Sequence, residues 1–293
     1  MNGELVRIET EDGVELVGFY AAPAGPPTRR AVLHVHGMAG SFYENRFVSD
    51  VGRAVVAKGL SFFTVNNRGH EFVSENLRGR GETTESVLGG ASWELFDESV
   101  FDIGAAADFL TARGHEGIYF EGHSLGCVKV VHYLTERRDP RAVGAVLISP
   151  ADMLGIRMEN SARPLAEIVA DARRLVAAGQ GDTLMPEAAY VVPLSAATVV
   201  SLYGDPATTD LFPFRLGDRG DYRRLASLTV PLLVAYGTVR EAVTIPVQEA
   251  LGLAKRHAAS SPRVETVAVE GGNHTYLGHE RKLARAVAAF VEA

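Results

Sequence analysis

The chain has 293 residues, of which 46% are hydrophobic and 22% charged, which is enough apolar material for one large α/β domain or for a domain with a substantial insertion. Its 36 Asp and Glu outnumber its 29 Lys and Arg, giving a formal charge of −7. Because the sequence contains no run of basic residues, nucleic acid is not an expected partner. The single cysteine, Cys127, excludes an internal disulfide and a CxxC metal site, which fits a reducing compartment.

The N-terminal residues predict a β-hairpin. Residues 4–9 and 14–20 alternate apolar and polar side chains and flank Asp12-Gly13, a dipeptide that is typical of tight turns. This alternation leaves no apolar core for a signal peptide, and no run of about 18 apolar residues occurs along the sequence. We therefore expect no contact with a membrane and a cytoplasmic location.

Behind the hairpin, strands and helices alternate in the order of a doubly wound, mostly parallel α/β sheet. The first buried strand is an apolar run at residues 31–35. The elements predicted after it are a helix at 43–57, a strand at 60–66, a helix at 98–112, a strand at 117–121, a helix at 125–137 and a strand at 143–149. Residues 71–97 contain no clear element, and we expect them to form an excursion near the C-terminal edge of the sheet.

The alternation of predicted strands and helices stops after Pro150. Residues 151–222 carry helical patterns and a loop rich in Pro, Gly and Asp, but no convincing strand. The alternation then resumes with a strand at 230–236, a helix near 246–257, a strand at 263–269 and a helix at 279–291. The sequence therefore predicts an α/β core formed by residues 1–150 and 223–293, with an inserted helical cap at 151–222.

A Gly-x-Ser-x-Gly pentapeptide, residues 122–126, lies between a predicted strand and a predicted helix. The pentapeptide alone is a weak signal, but this position is that of a nucleophile elbow, a sharp turn that presents Ser124 above the sheet. Glycines at both ends avoid collisions with the neighbouring strand and helix. The backbone N–H of Leu125 then lies at a helix N-terminus, where it can stabilise an oxyanion. The alternative for Ser124 is an ordinary helix N-cap.

The second oxyanion donor is expected from the loop after the first buried strand, which reads HGMAG at residues 36–40. A His-Gly pair leaves room there for a substrate carbonyl, and the backbone N–H of Met38 is the expected donor. His34 and His36 project to one face of a strand, but no carboxylate or third histidine follows at the spacing of a metal site. We expect no metal ion and a hydrogen-bonded structural role for His36.

A serine hydroxyl needs an imidazole to take its proton, and the imidazole needs a carboxylate to fix its tautomer. With a nucleophile elbow, these partners follow in the chain order Ser, acid, His. Two histidines follow the last predicted strand. His274 lies on the glycine-rich loop directly after that strand and is the expected base, whereas His279 is expected at the start of the last helix.

The acid is expected on the loop after strand 230–236. Three residues after Gly237, where an Asp often stands in such enzymes, this sequence has Arg240. The adjacent Glu241 is the expected acid, with a surface ion pair to Arg240 as its alternative role. Asp152, which closely follows strand 143–149, is the alternative acid.

Taken in order, the segments HGMAG at 36–40, NNRGH at 66–70, GHSLG at 122–126 and GGNH at 271–274 resemble the motifs of the α/β-hydrolase superfamily. Within this superfamily the chain resembles the capped, esterase-like members, and residues 193–214 are faintly similar to fungal siderophore esterases. The resemblance implies attack by Ser124 on an ester, thioester or amide, an acyl-enzyme, and hydrolysis with His274 as base and acid in turn. It implies no cofactor.

The expected substrate is a small-molecule ester, but other uses of the same residues stay open. The same triad serves a thioesterase or acyltransferase that acts on a carrier-bound acyl group, and Arg157, Arg173 and Arg174 would suit an acidic carrier protein. Carbon–carbon bond hydrolysis, a non-catalytic ligand-binding role and a homo-oligomer also stay open. The aromatic residues expected to line the substrate pocket are Tyr43, Trp93 and Tyr190, with Phe96 and Tyr203 as further candidates.

Overall fold

The computed structural model describes residues 2–25, 28–79, 81–186 and 193–292. Its strands within those residues, in chain order, are β1 (Glu4–Glu9), β2 (Glu15–Ala21), β3 (Arg30–Val35), β4 (Ser61–Val65), β5 (Ser74–Arg78), β6 (Glu85–Gly89), β7 (Gly117–His123), β8 (Ala142–Ile148), β9 (Leu184–Met185), β10 (Leu194–Ser195), β11 (Leu232–Gly237) and β12 (Val264–Val269). The helices are α1 (Arg46–Ala57), α2 (Ser99–Ala112), α3 (Leu125–Arg137), α4 (Met153–Glu159), α5 (Leu165–Ala177), α6 (Ala196–Tyr203), α7 (Pro206–Thr209), α8 (Arg223–Ala226), α9 (Val247–His257) and α10 (Glu280–Glu292).

Eight of these strands form the central sheet, in the order β1-β2-β4-β3-β7-β8-β11-β12. The hairpin β1–β2 is antiparallel and joins β4 antiparallel, and all pairs from β4 to β12 are parallel. Every residue of β4, β7 and β11 is buried, as expected for parallel strands that are covered on both faces. The predicted doubly wound, mostly parallel sheet is confirmed.

Helices cover both faces of this sheet. The apolar stripes of α1 and α10 pack with one face, where Phe47, Val51 and Leu283 meet Val32 and Phe62. The apolar residues of α2, α3 and α9 pack with the other face. Helices α1, α2, α9 and α10 bury side chains at the three- and four-residue spacing of an amphipathic helix. Helix α3 is instead buried at every position from Leu125 to Leu134.

The prediction of no clear element at residues 71–97 was wrong. This segment contains an antiparallel hairpin of β5 and β6, in which Ser74 pairs with Gly89 and Arg78 with Glu85. The ladder has five residues on each strand; half of these residues are exposed and several are charged. It therefore lacks the apolar alternation by which strands are recognised in a sequence.

The segment predicted as a cap, residues 151–222, lies between β8 and β11 in the chain and contains α4, α5, α6 and α7. It also contains β9 and β10, an antiparallel pair of two residues each. A partly buried ion pair joins residues near its two ends, because Arg215 Nη1 donates to Asp152 Oδ1 at 2.6 Å. The division into core and cap stays a prediction.

Within the described ranges, no helix is long and apolar enough to cross a bilayer.

Candidate active site

Ser124 stands in strained backbone geometry between β7 and α3. Its φ of 56° and ψ of −122° lie in a region that a residue with a side chain rarely adopts. Its backbone N–H donates to the carbonyl of Ile148 at 2.9 Å, which ties the turn to β8. The side chain makes no capping hydrogen bond to α3. The hydroxyl of Ser124 therefore does not act as a helix N-cap and is available for a different hydrogen bond.

Glycines allow the turn because the neighbouring backbone is too close for a side chain. A Cβ on Gly126 would lie 2.2 Å from the carbonyl oxygen of Val35, and one on Gly122 would lie 2.5 Å from the backbone of Gly126. A Cβ on Gly37 would lie 2.9 Å from the Cβ of Ser124. The loop after β3 thus packs directly against the elbow.

His36 holds that loop. Its Nε2 accepts from the backbone N–H of Asn67 at 3.0 Å, so its Nδ1 is the protonated nitrogen and donates to the carbonyl of Gly37 at 2.8 Å. Burial, aided by the positive charge of Lys129, lowers the pKa of His36 well below its usual value and keeps the ring neutral. The fixed tautomer orients the backbone that leads into Met38.

His274 lies on the loop between β12 and α10, where it contacts the elbow. The Nε2–H of His123 donates to the carbonyl of His274 at 2.9 Å, and the two rings lie 4.6 Å apart between centroids. Burial lowers the pKa of His274, while the negative charge of Glu241 opposes this shift. Its Nδ1 is buried and has no hydrogen-bond partner among the described residues. The ring is therefore neutral near pH 7 and able to accept a proton.

Glu241 is the carboxylate that contacts His274. Its Oε2 accepts from the backbone N–H of His274 at 2.5 Å. The adjacent Arg240 turns away to Glu159 on α4, at 3.3 Å. The surface pair of Glu241 with Arg240 is therefore not formed, and the carboxylate of Glu241 contacts the backbone of His274 rather than Nδ1 of its ring.

Asp152, the alternative acid, faces the cap segment. Its Oδ1 accepts from the backbone N–H of Gly155 at 2.9 Å and caps α4. Its Oδ2 accepts from the backbone N–H of Arg215 at 2.7 Å, and Oδ1 also takes the Arg215 guanidinium. Because the side chain is 0% exposed, these contacts fix it between α4 and Arg215 rather than against His274.

A cavity of about 380 Å³ brings the predicted residues together. Its lining includes the expected nucleophile, base, acid and both oxyanion donors. The described lining residues are Met38, Ser124, Leu125, Ala151, Met153, Ile156, Arg157, Tyr203, Glu241, Ala242 and His274.

The expected aromatic lining is corrected in part. Tyr43 is 61% exposed and donates its hydroxyl to Glu71 on the outer surface, and Trp93 donates to the carbonyl of Asp182 at 3.2 Å. Neither is among the described lining residues of the cavity. Tyr203 does line it, and Tyr190 lies outside the described residues.

Arg157 also lines the cavity and is only 1% exposed. It therefore does not form an exposed basic surface with Arg173 and Arg174, which lie on α5. Arg157 is spaced from Met153 and Ile156 so that all three side chains lie on one face of α4. This spacing is the sequence signal for the side of the cavity that α4 forms. In the part of the chain that is described, no group of three or more His, Cys, Asp and Glu side chains is placed to hold a metal ion.

Solved structures with the same fold include several esterases. Est1E from Butyrivibrio proteoclasticus with bound ferulic acid is 20% identical, with a TM-score of 0.66 over 98% of this chain and 97% of that chain. A Pyrococcus furiosus esterase is 18% identical, with a TM-score of 0.62 over 100% of this chain and 91% of that chain. The esterase domain of a Rhodothermus marinus protein is 15% identical, with a TM-score of 0.60 over 100% and 98%. No curated protein matches the sequence.

The family of the chain follows from its sequence rather than from these distant structures. Residues 26–187 match the model of the family described as serine aminopeptidase, S33. The match spans more than half of the 293 residues and contains both the loop after β3 and the elbow. The chain therefore belongs to the serine aminopeptidase S33 family and is a serine hydrolase of the α/β-hydrolase fold.

Proposed function

We propose that the protein hydrolyses a carboxylic ester of a small molecule through an acyl-enzyme on Ser124. One observation carries the proposal: the strained Ser124, whose hydroxyl caps no helix, opens on the same cavity as His274, Met38 and Leu125. A nucleophile, a base and two oxyanion donors around one space are what acyl transfer requires.

In the acylation step, His274 takes the proton of Ser124 as Oγ bonds to the ester carbonyl carbon. The carbonyl π electrons move to its oxygen, which the backbone N–H groups of Met38 and Leu125 stabilise. The tetrahedral intermediate then collapses, the bond to the alcohol oxygen breaks, and the imidazolium of His274 gives its proton to that oxygen.

In the deacylation step, a water molecule replaces the alcohol. His274 takes a proton from the water as its oxygen attacks the acyl carbon, and collapse of the intermediate breaks the bond to Oγ. The proton on His274 returns to Ser124, which releases the carboxylic acid. In both steps, Glu241 places a negative charge beside the transient imidazolium.

The charges of the lining favour an ester over the free N-terminus of a peptide. An aminopeptidase needs a carboxylate to bind the α-ammonium group of its substrate. Among the described lining residues, Glu241 is the one carboxylate, and it already accepts from the backbone N–H of His274. The apolar side chains of Met153 and Ile156 suit a small acyl or alkyl group.

The experiment combines active-site labelling with a matched substrate series. A fluorophosphonate probe should label folded wild-type protein at Ser124, and Ser124→Ala should abolish the labelling. The p-nitrophenyl ester, the thiophenyl ester and the anilide of butyric acid share one acyl group, and we expect the oxygen ester to have the highest kcat/KM. Absence of labelling would overturn the serine hydrolase mechanism, whereas a preference for the thioester or the anilide would overturn the ester assignment alone.

A further inference from the structure

We infer that His123, the residue before the nucleophile, is a positioning residue that holds the imidazole of His274 in place for its proton transfers with Ser124. This role rests on the proposed ester hydrolysis, in which His274 is the base. Three observations support it: the hydrogen bond from His123 to the backbone of His274, the contact between the two rings, and the way in which His123 is itself fixed.

Both backbone polar groups of His274 are held by side chains. The carboxylate of Glu241 accepts from its N–H, and the Nε2–H of His123 donates to its carbonyl at 2.9 Å. The planar peptide groups on either side of the Cα atom are thereby fixed, and with them the direction of the bond from Cα to Cβ. What stays free is the rotation of the His274 side chain about its own bonds.

The ring of His123 restricts that rotation. Its centroid lies 4.6 Å from the centroid of the His274 ring, and the two ring planes are inclined by 39°. Nδ1 of His274 is buried and has no hydrogen-bond partner among the described residues, so packing rather than a hydrogen bond at this atom holds the ring. The neighbouring ring of His123 therefore limits the rotamers that His274 can adopt.

His123 can hold its neighbour because it is itself fixed and neutral. It is the last residue of β7 and is 4% exposed, and the ring of Phe47 on α1 packs against it at 4.9 Å between centroids. Burial, aided by the nearby His274, lowers the pKa of His123 well below its usual value. Because a carbonyl oxygen only accepts hydrogen bonds, the single ring proton of neutral His123 lies on Nε2. The ring is therefore a rigid donor that brings no charge to the site.

The loop that carries His274 has a second anchor, which makes the role of His123 a local one. Tyr276 is buried, and its hydroxyl lies 2.9 Å from Oγ of Ser149 and donates to the carbonyl of Ala235 at 3.2 Å. These contacts tie the loop to the carboxyl ends of β8 and β11 without His123. Loss of the His123 hydrogen bond should therefore displace the imidazole without unfolding the loop, and a displacement of about 1 Å lowers a rate by about 100-fold.

The first test separates the hydrogen bond of His123 from its ring. His123→Phe keeps an aromatic ring and removes the donor, whereas His123→Gln keeps an N–H donor at a similar reach. With p-nitrophenyl butyrate, we expect kcat of His123→Phe to fall about tenfold to 100-fold, and His123→Gln to recover part of the loss. Because His274 acts in both acylation and deacylation, KM should change little. An unchanged kcat in His123→Phe would overturn the inference.

The second test asks whether His123 acts through His274. In the His274→Ala background the backbone carbonyl is still present, but there is no imidazole to orient. His123→Phe should therefore change the residual rate of this background by less than about twofold, although it lowers the rate of the wild type by about tenfold or more. A fall of the same size in both backgrounds would overturn the positioning role and leave a purely structural one.

The matched control is His132→Phe. His132 is a buried histidine of α3 whose ring packs with Phe96 at 4.9 Å between centroids, and this variant should keep the wild-type kcat. Folding of each variant is checked by circular dichroism and urea unfolding. If His123→Phe does not fold, NMR of isotopically labelled histidines in the wild type decides the question. We expect the Nε2–H tautomer of His123, and the Nδ1–H tautomer, which has no proton to donate from Nε2, would overturn the inference.

The two proposals fail separately. Absence of probe labelling at Ser124 in the wild type would overturn the hydrolase mechanism, and the positioning role with it. Normal labelling and ester turnover in the wild type, together with a wild-type kcat in His123→Phe, would overturn the role of His123 and leave the hydrolase.

Discussion

Glu241→Gln tests the least conventional feature of the site, a glutamate that follows Arg240 on the loop where an acid is required. The substitution keeps the side-chain shape and removes one negative charge beside His274. For a carboxylate–imidazolium contact of about 4 Å in the transition state, and an effective dielectric of about 20 to 40 for an exposed side chain, the lost attraction is about 2–4 kcal/mol. We therefore expect kcat/KM to fall between roughly 30-fold and 1000-fold.

The assay is the hydrolysis of p-nitrophenyl butyrate across a pH range. Because the charge of Glu241 opposes the lowering of the His274 pKa, its removal should also move the acid limb of kcat/KM to lower pH. Glu270→Gln, which removes an exposed charge at the start of the same loop as His274, is the matched control and should stay close to the wild type. Wild-type turnover by Glu241→Gln would refute its role as the acid, most clearly if Asp152→Asn were the inactive variant.

Three further predictions concern the same region. Burial lowers the pKa of His274 from 6.5, and the neutral ring is the active base. We therefore expect kcat/KM to rise with pH to a plateau, with a midpoint below pH 6.5. A midpoint above pH 6.5 would contradict the buried position of the ring. Gly37→Ala should cost about 1–3 kcal/mol in urea unfolding and reduce kcat/KM more than tenfold through Ser124. Gly104→Ala inside α2, where a Cβ meets nothing closer than 3.9 Å, should instead raise the free energy of unfolding by up to about 1 kcal/mol and leave kcat/KM close to the wild type. Asp152→Asn removes the ion pair between this buried carboxylate and the partly exposed Arg215, and it should lower the free energy of unfolding by roughly 3 kcal/mol, with kcat/KM changed less than about tenfold. Loss of activity without loss of stability would instead favour Asp152 as the acid.

The parts of the fold that repeat a pattern were predictable from the sequence. Continuous apolar runs such as those of β3 and β7 have one stable place, inside a parallel sheet that is covered on both faces. The elbow was predictable because its strand, glycines and helix agree with one another. The hairpin β5–β6 was not, since half of its residues are exposed and its sequence shows no regular apolar alternation.

The walls of the cavity were predictable only in part. The loops with Met38, Glu241 and His274 follow strand ends, and the sheet order brings parallel strand ends to one edge. The choice of Tyr43 relied on residue type alone, and an aromatic side chain on a loop is equally able to lie on the surface. The expected surface role of Arg157 was wrong, since the residue is buried and lines the cavity, and a sequence does not reveal which face of a short helix the rest of the chain will cover.

The Asp152–Arg215 pair has a consequence for how this chain tolerates change. It joins positions 63 residues apart, and the segment between them is also tied to residues 92–96, for example by the backbone N–H of Ser195, which donates to the carbonyl of Ser92 at 2.7 Å. Once the ends of a loop are held together, doubling its length costs only about 0.6 kcal/mol in closure entropy. Exposed loops between the two anchors can therefore lengthen or shorten during evolution at little cost, whereas α5 and α6, whose buried side chains pack into the main core, are constrained.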